Sequence, residues 1–332
     1  MKILLVSRYK EQFTRNMLPF VLEQGESLRA AGCDAHGEPI TVDYFTVRGN
    51  YVKAAVELRK KIRETRPDIV HAHYGLSGVT AALAVLSLRL SLSSSAPALV
   101  STFHNGETLN RKVNFLCSLF SLRADHVIYV AEHIRDKAIF VNKHNTTLPC
   151  GVNLEESKPT DYQQARAQLG FDSEKYYILF GGAFSNTRKN VALLREAVDK
   201  LHQSQIKNHQ SKIEILEMKG MDRKTVALYM SACDMFALPS KSEGSPQALK
   251  EAMACGCPCL ATDIADVRLL LGGLEGNYIC SFDPTDVAHG VEQLLSLPRG
   301  FRTRGRARIE QLGYRNEDVA KKLMEIYGGL RK

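Results

Sequence analysis

No segment of this 332-residue sequence stays apolar long enough to cross a bilayer. The longest mostly apolar stretch, VTAALAVLSLRL from Val79, runs for about a dozen residues, is broken by Arg89, and falls short of the roughly 20 that a span needs. The opening MKILLVSRYK holds only a short apolar run from Ile3 to Val6, less than the core of an export signal, so a cytoplasmic protein is expected. Neither half carries G-x-G-x-x-G after a strand, which removes the usual support for a dinucleotide-dependent oxidoreductase. Zinc-finger spacing is missing, as is the aromatic-basic interleaving of single-stranded nucleic-acid platforms, so nucleic acid is not an expected partner.

What is present is ordinary for a globular chain: 44% hydrophobic and 24% charged residues. The length exceeds that at which one core usually stops growing, which implies two domains. Eight cysteines in no secreted framework spacing are read as reduced thiols. The net charge of +8 gathers in three places: LRKKIRETR from Leu58, NRKVNFLCSLFSLR from Asn110 and RGFRTRGRAR from Arg299. The first alternates with Glu64 and reads as a solvated helix face. In the second, basic ends flank Phe115, Leu116, Leu119 and Phe120, which fits either a buried helix or an amphipathic surface at a membrane interface.

Strand-like and helix-like segments alternate along the chain. KILLVS, DIVHAHY and ALVSTFH read as buried strands. PFVLEQGESLRAAG reads as a helix ended by Gly32, and YVKAAVELRKKIRETRP as one stopped by Pro67. Such alternation implies parallel pairing and doubly wound α/β sheets. The pattern breaks at the polar, proline-bearing LPCGVNLEESKPTDY and resumes at KYYILFGGAF. The expected organisation is a domain over 1–155, a second over 160–315, and a final helix over 316–332.

The stretch EGSPQALKEAMACGCPCLATD, Glu243 to Asp263, poses a choice between thiols and carboxylates. Cys255, Cys257 and Cys259 have C-x-C-x-C spacing with no second pair, and Gly256 and Pro258 mark a helix ending; core or turn cysteines are expected. Ser245 suits a helix cap with Pro246 at the first helical position. Glu243 then lies just ahead of the helix and Glu251 about five residues inside it, roughly 7 to 8 Å further along. Between them are backbone amides around Gly244, Ser245 and Gln247, at the positive end of a helix dipole, which suits a phosphate. Carboxylate, anion site and carboxylate form a line, matching the sugar hydroxyls, pyrophosphate and ribose hydroxyls of a nucleoside diphosphate sugar. Spacing alone leaves open a solvent-facing helix with Glu251 on its polar flank.

This segment resembles the Glu-x7-Glu signature of the retaining glycosyltransferases of family 4, which have the GT-B fold. DIVHAHY, STFHNGE, LPCGVN, GGAFSNTRKN and a C-terminal helix follow in the order of that family, so the resemblance covers nearly the whole chain. It implies two Rossmann-like domains facing across a cleft, with a C-terminal helix crossing back to the first. It implies that Glu243 meets the transferred sugar, Glu251 the ribose, Lys189 the donor diphosphate, and His104 the donor sugar from the N-terminal domain. Of His71 and His73, at least one is expected to be structural, and no metal pair is expected. The sequence departs from the family where an arginine often stands five positions before the lysine. Phe184 is there instead, and Arg188 is the substitute for the second phosphate charge. A glycine-rich loop after the first strand is also lacking in SRYKEQFTRNMLPF, which implies a differently shaped acceptor side.

The resemblance implies transfer of a sugar from a nucleotide diphosphate sugar to an acceptor hydroxyl with retention of configuration. No D-x-D occurs, in keeping with an enzyme that needs no metal or other cofactor. Partners implied are a nucleotide-sugar donor and a saccharide or lipid-linked acceptor, as in bacterial surface-polysaccharide synthesis, with contact at the inner membrane leaflet. A sugar-nucleotide epimerase on the same fold and a non-catalytic sugar-nucleotide binding protein remain alternatives.

Overall fold

The computed structural model describes residues 1–8, 18–91, 96–203 and 213–331. Residues 9–17, most of the glycine-free segment after the first strand, lie outside the described residues, and with them the expectation about the acceptor side. The chain divides into two compact units, Met1–Gly151 with Asn316–Lys332, and Val152–Arg315.

The first unit has strands β1 (Lys2–Arg8), β2 (Thr41–Val47), β3 (Ile69–His73), β4 (Ala98–Phe103), β5 (His126–Tyr129) and β6 (Asn145–Thr147). Between them run helices α1 (Pro19–Ala30), α2 (Tyr51–Thr65), α3 (Gly75–Leu90), α4 (Arg111–Ser121) and α5 (Glu132–Lys137). The strands form one parallel sheet in the order β2-β1-β3-β4-β5-β6. Helices on both faces explain why β1 and β3 are buried on both sides, β3 along its whole length with His71 and His73 included, rather than alternating. Leu4 and Val6 point into one core cluster and Ile3 and Leu5 into the other, as the two-residue period of a strand requires. The second cluster is completed by α13 (Asn316–Leu330), which buries Val319, Ala320, Leu323 and Tyr327 there.

Helix boundaries follow local chemistry. The Asn50 side chain caps α2 by accepting from the Val52 and Lys53 amides at 2.8 and 3.2 Å. Arg66 then turns left-handed at φ 46° ahead of Pro67, and the i,i+4 pair Lys60–Glu64 lies on the exposed face. In α4 the periodic residues face the other way from a buried helix. The helix buries Asn114, Cys117, Ser118 and Ser121, whereas Phe115, Leu116 and Leu119 are exposed. Hydrogen bonds explain the inversion, because Asn114 donates to the Lys137 carbonyl at 2.7 Å and accepts from Ser118 at 2.8 Å.

The second unit runs α6 (Tyr162–Leu169), β7 (Tyr176–Phe180), α7 (Val191–Gln203), β8 (Ile213–Glu217), α8 (Arg223–Ala232), β9 (Met235–Leu238) and α9 (Gln247–Ala254). It continues through β10 (Cys259–Thr262), α10 (Val267–Leu271), β11 (Asn277–Cys280), α11 (Pro284–Leu295) and α12 (Gly305–Gln311). Its sheet is also parallel, ordered β8-β7-β9-β10-β11. Counted from its own first strand, this is the same 2-1-3-4-5 order as in the first unit. Each sheet therefore reverses direction between its first and third strands, and ligands of open α/β sheets bind at the carboxyl ends of such a switch point.

The basic run from Arg299 is used inside this unit. Arg299 stacks over the Tyr176 ring at 3.9 Å, Arg302 donates to the Ser231 carbonyl, and Arg306 donates to the Leu154 carbonyl at 3.0 Å. Among the described residues, no helix is long and apolar enough to cross a membrane.

Candidate functional site

At the carboxyl end of the second unit's switch point, the loop after β7 meets the loop after β9. Gly181 and Gly182 make the first loop possible. A Cβ on Gly181 would lie 2.6 Å from Phe236, and one on Gly182 2.8 Å from the Lys189 stem. The loop is stapled by Asn186 N–H to Ala183 carbonyl at 3.0 Å and Lys189 N–H to Asn186 carbonyl at 2.9 Å. The Lys241 amide, from the second loop, donates to the Arg188 carbonyl at 2.9 Å. Lys189 Nζ thereby reaches Glu243 Oε1 at 2.7 Å. Arg188 Nη1 donates to the Ser242 carbonyl at 2.6 Å and to Glu243 Oε2 at 3.4 Å. Glu243 is 8% exposed, and two cations address its two oxygens.

The segment that follows differs at its start from the sequence expectation. Pro246 is the cap position of α9 rather than its first helical residue, and no side chain caps the helix. Ser245 lies one residue ahead of the cap and donates its hydroxyl to Asp266 Oδ2 at 2.6 Å. The Lys250 amide donates to the Pro246 carbonyl at 3.2 Å, and the amides of the first turn ahead of it lie at the positive end of α9. The end of α9 matches expectation. Gly256 is left-handed at φ 67°, its amide donates to the Met253 carbonyl at 2.9 Å, and the Cys257 amide reaches the Ala252 carbonyl at 3.0 Å. Cys255, Cys257 and Cys259 are fully buried in an apolar cluster, and burial pushes the thiols of Cys255 and Cys257 up to about 12. They are packing residues.

Glu251 projects from α9 into a second charged position, where it pairs with Arg223 at the start of α8. Burial raises its carboxyl, while the Arg223 charge, the Arg223 hydrogen bond, Lys250 and Gln247 hold it down. The sequence reading missed Arg223; the signal available was a cation directly after Asp222, which caps α8 by accepting from Thr225 N–H at 2.8 Å. Phe184, where a second arginine was looked for, packs its ring under the Arg195 guanidinium at 4.7 Å and donates its amide to Glu217 at 2.6 Å. Ser240, at the end of β9, has a fully buried hydroxyl with no hydrogen-bond partner among the described residues.

The first unit's switch point holds different chemistry. His104, just beyond β4, lies 3.2 Å through Nε2 from His73 Nδ1, and its ring packs on Tyr74 and Phe20 at 4.5 and 4.9 Å. His71 is fully buried, bonded to the Tyr327 hydroxyl and to Thr102 Oγ1 at 2.6 Å each. His71 is thus a packing residue that ties α13 to the sheet. Burial pushes His71 well below the usual imidazole range and His73 down to about 3. Glu107 fixes the loop itself: its carboxylate accepts the amides of Gly75 at 2.7 Å, Asn105 at 2.9 Å and His104 at 3.2 Å. Tyr74 takes φ 71°, a conformation costing a tyrosine about 1–3 kcal/mol, immediately before α3, and Arg8 lies 5.5 Å over its ring.

Two parallel α/β units of one strand order define a Rossmann-like two-domain protein. Comparison with known proteins sharpens this. The family model described as Glycosyltransferase Family 4 matches residues 21–156, and the one described as Glycosyl transferases group 1 matches residues 175–297, between them more than half of the chain. A Bacillus subtilis glycosyltransferase named for teichuronic acid biosynthesis is 28% identical over 244 residues, 67% of this chain and 59% of that relative. Among solved structures, a sucrose-phosphate synthase from Thermosynechococcus elongatus superposes with a TM-score of 0.77 at 19% identity, covering 99% of this chain and 98% of that one. The Anabaena protein HepE, solved with UDP-glucose, gives 0.74 at 16% identity, covering 99% and 100%. At these identities the structures speak to the fold alone. The chain belongs to the glycosyltransferases of group 1 and family 4, and its fold is GT-B.

Proposed function

We propose that this chain transfers a glycosyl group from a nucleoside diphosphate sugar to an acceptor hydroxyl, with retention of anomeric configuration and without a divalent cation. The observation that supports this best is the convergence of Lys189 and Arg188 on the buried Glu243 carboxylate, beside the start of α9. On this reading a donor exchanges an internal ion pair for two sets of contacts. The diphosphate takes the two cations, the amides of Gly244 and Ser245 ahead of the Pro246 cap and that of Gln247 at the start of α9, and Glu243 accepts hydrogen bonds from sugar hydroxyls. Glu251 accepts the ribose hydroxyls, with the Arg223 charge opposing the rise that burial imposes on its carboxyl. His104 hydrogen-bonds the transferred sugar.

As the bond between the anomeric carbon and the phosphate oxygen breaks, negative charge grows on the leaving diphosphate, where Lys189 and Arg188 stabilise it. The acceptor hydroxyl attacks from the same face, and its proton passes to the departing phosphate oxygen, so no protein nucleophile is assigned. The role of metal is taken by these fixed cations, in a sequence without D-x-D. The acceptor on this reading is a saccharide or lipid-linked hydroxyl in cell-surface polysaccharide or glycolipid synthesis, and the relative named for teichuronic acid biosynthesis supports the polysaccharide part of it.

The test is calorimetric titration of UDP-, GDP-, ADP- and dTDP-sugars into the wild type and Glu251→Ala, with EDTA present. One nucleotide bound by the wild type and weakened in the variant supports the reading. A dTDP-sugar, which has one ribose hydroxyl fewer, should lose less on the substitution. Binding that needs a divalent cation, or that ignores Glu251, overturns the assignment.

A further inference from the structure

The helix that faces the wrong way for a core helix carries an inference about what it meets. Along α4, Phe115, Leu116 and Leu119, followed by Leu122, fall at positions that share one helical face, and each is 39% exposed or more. The loop after α5 adds Ile139 and Val141, 41% and 45% exposed. The two segments are one surface: the Phe115 and Phe140 rings meet edge to face at 5.6 Å, and Asn114 holds the loop through the Lys137 carbonyl and the Ile139 amide. Half of the exposed large hydrophobic residues of the described chain lie on this one patch.

The rim of the patch is cationic. Arg111, Lys112, Arg123, Lys137 and Lys143 are all exposed around it, against Glu132 and Asp136, the latter paired with Arg135. An apolar face ringed by lysine and arginine is complementary to a bilayer with anionic headgroups, where the side chains enter the acyl boundary and the cations stay at the phosphates. We propose that α4 and the 137–143 loop form a docking surface for an anionic lipid bilayer. This deepens the functional reading by naming where a lipid-linked acceptor is met.

The inner side of α4 links this surface to the unit's own switch point. Cys117 lies against the start of α3, so close that a Cβ on Gly75 would sit 2.5 Å from its sulfur, and Glu107 beside it holds the amide of His104. A bilayer on the outer face of α4 is thus one helix diameter from the His104 loop.

The first experiment is co-sedimentation with vesicles of phosphatidylcholine alone and of phosphatidylcholine with phosphatidylglycerol, in the absence of any sugar nucleotide. Binding is expected to the anionic vesicles only and to fall at least tenfold when the salt is raised to about 0.5 M. Phe115→Ser with Leu119→Ser should lower partitioning by about tenfold or more, as should Arg111→Glu with Lys112→Glu. Val52→Ser with Val56→Ser, on the exposed face of α2, should leave it unchanged.

Because the chain has no tryptophan, Leu119→Trp supplies a single indole whose emission moves to the blue on entering the acyl region. An unshifted Leu119→Trp emission with anionic vesicles overturns the proposal. So does wild-type self-association, seen by sedimentation velocity, that the Phe115/Leu119 variant abolishes without altering vesicle binding; the patch is then an interface with a second copy. Since no donor is present, failure here leaves the donor-site reading standing, and failure of donor binding leaves this result standing.

Discussion

At the carboxyl end of β7 and β9, a lysine and an arginine close on a buried carboxylate; at the carboxyl end of β1, β3 and β4, three histidines and two aromatic rings pack together, with burial pushing His71 and His73 down from the usual imidazole range. The strand order is the same in both places. The scaffold therefore decides where a ligand is met, and the loop residues decide what charge it must carry. The second unit holds two cations on one buried carboxylate and a third on another, which on the proposed reading suits a dianion and hydroxyls that donate to carboxylates. Among the described residues, the first unit's switch point offers aromatic rings, the His71 and His73 imidazoles that burial pushes down, and Arg8 over the Tyr74 ring.

The comparison breaks most sharply if charge at the second unit is dispensable. Glu243→Gln keeps the shape and removes the charge, and should lower kcat/KM by about 10³-fold, measured with the donor that calorimetry selects. Lys189→Ala should cost about 10²-fold, and should also weaken binding of the free nucleoside diphosphate relative to the mononucleotide. Equal loss for both nucleotides would mean that Lys189 acts on something other than the second phosphate.

Much of this architecture is legible in the sequence because it rests on local rules. Apolar runs such as KILLVS and DIVHAHY have to be strands covered on both faces, and Pro67 and Gly256 stop helices by their own backbone chemistry. The Glu-x7-Glu spacing marked out the segment that carries Glu243 and Glu251. What could not be read is which way an element turns. The period in α4 shows that Phe115 and Leu119 share a side, but only the long-range bond from Asn114 to Lys137 shows that this side faces out. Ser245 met the rule for a cap, yet the helix begins one residue later with Pro246 as its cap, and the Ser245 hydroxyl donates to Asp266, 21 residues on. Arg223 lies 28 residues before Glu251, and nothing local ties the two.

The neutral character of the first unit can be tested through pH. His71 and His73 are neutral when folded and titrate in the ordinary range when unfolded, so between those ranges the unfolded chain binds more protons. The stability that comes from keeping them neutral is fully present above about pH 6.5 and is lost as pH falls toward His73's value of about 3. At pH 5 His73 costs about 2 kcal/mol, from 1.36 kcal/mol per unit over about 1.5 units. Thermal melts at pH 7.5 and 5 should show His73→Gln losing less stability than the wild type. Equal losses would mean that His73 is charged in the folded protein, and the contrast between the two units would fail.

The smallest effect sharpens the same contrast inside the charged unit. Glu251 is buried enough that its carboxyl is raised, and Arg223 is the principal group opposing that, with Lys250 and Gln247 on its own helix adding to it. Removing the guanidinium in Arg223→Ala leaves burial without its main counter-charge, so the carboxyl rises further. A protonated carboxyl has one oxygen fewer to accept a ribose hydroxyl, so donor affinity should fall by about tenfold near neutral pH and recover as pH rises. Arg223→Lys should restore most of it, since the charge returns even though the planar fork does not. Calorimetry at pH 6 and 8 separates this from simple contact loss: a guanidinium that touched only the donor would give the same deficit at both values, whereas one that acts through Glu251 gives a deficit that shrinks with each step toward alkaline pH.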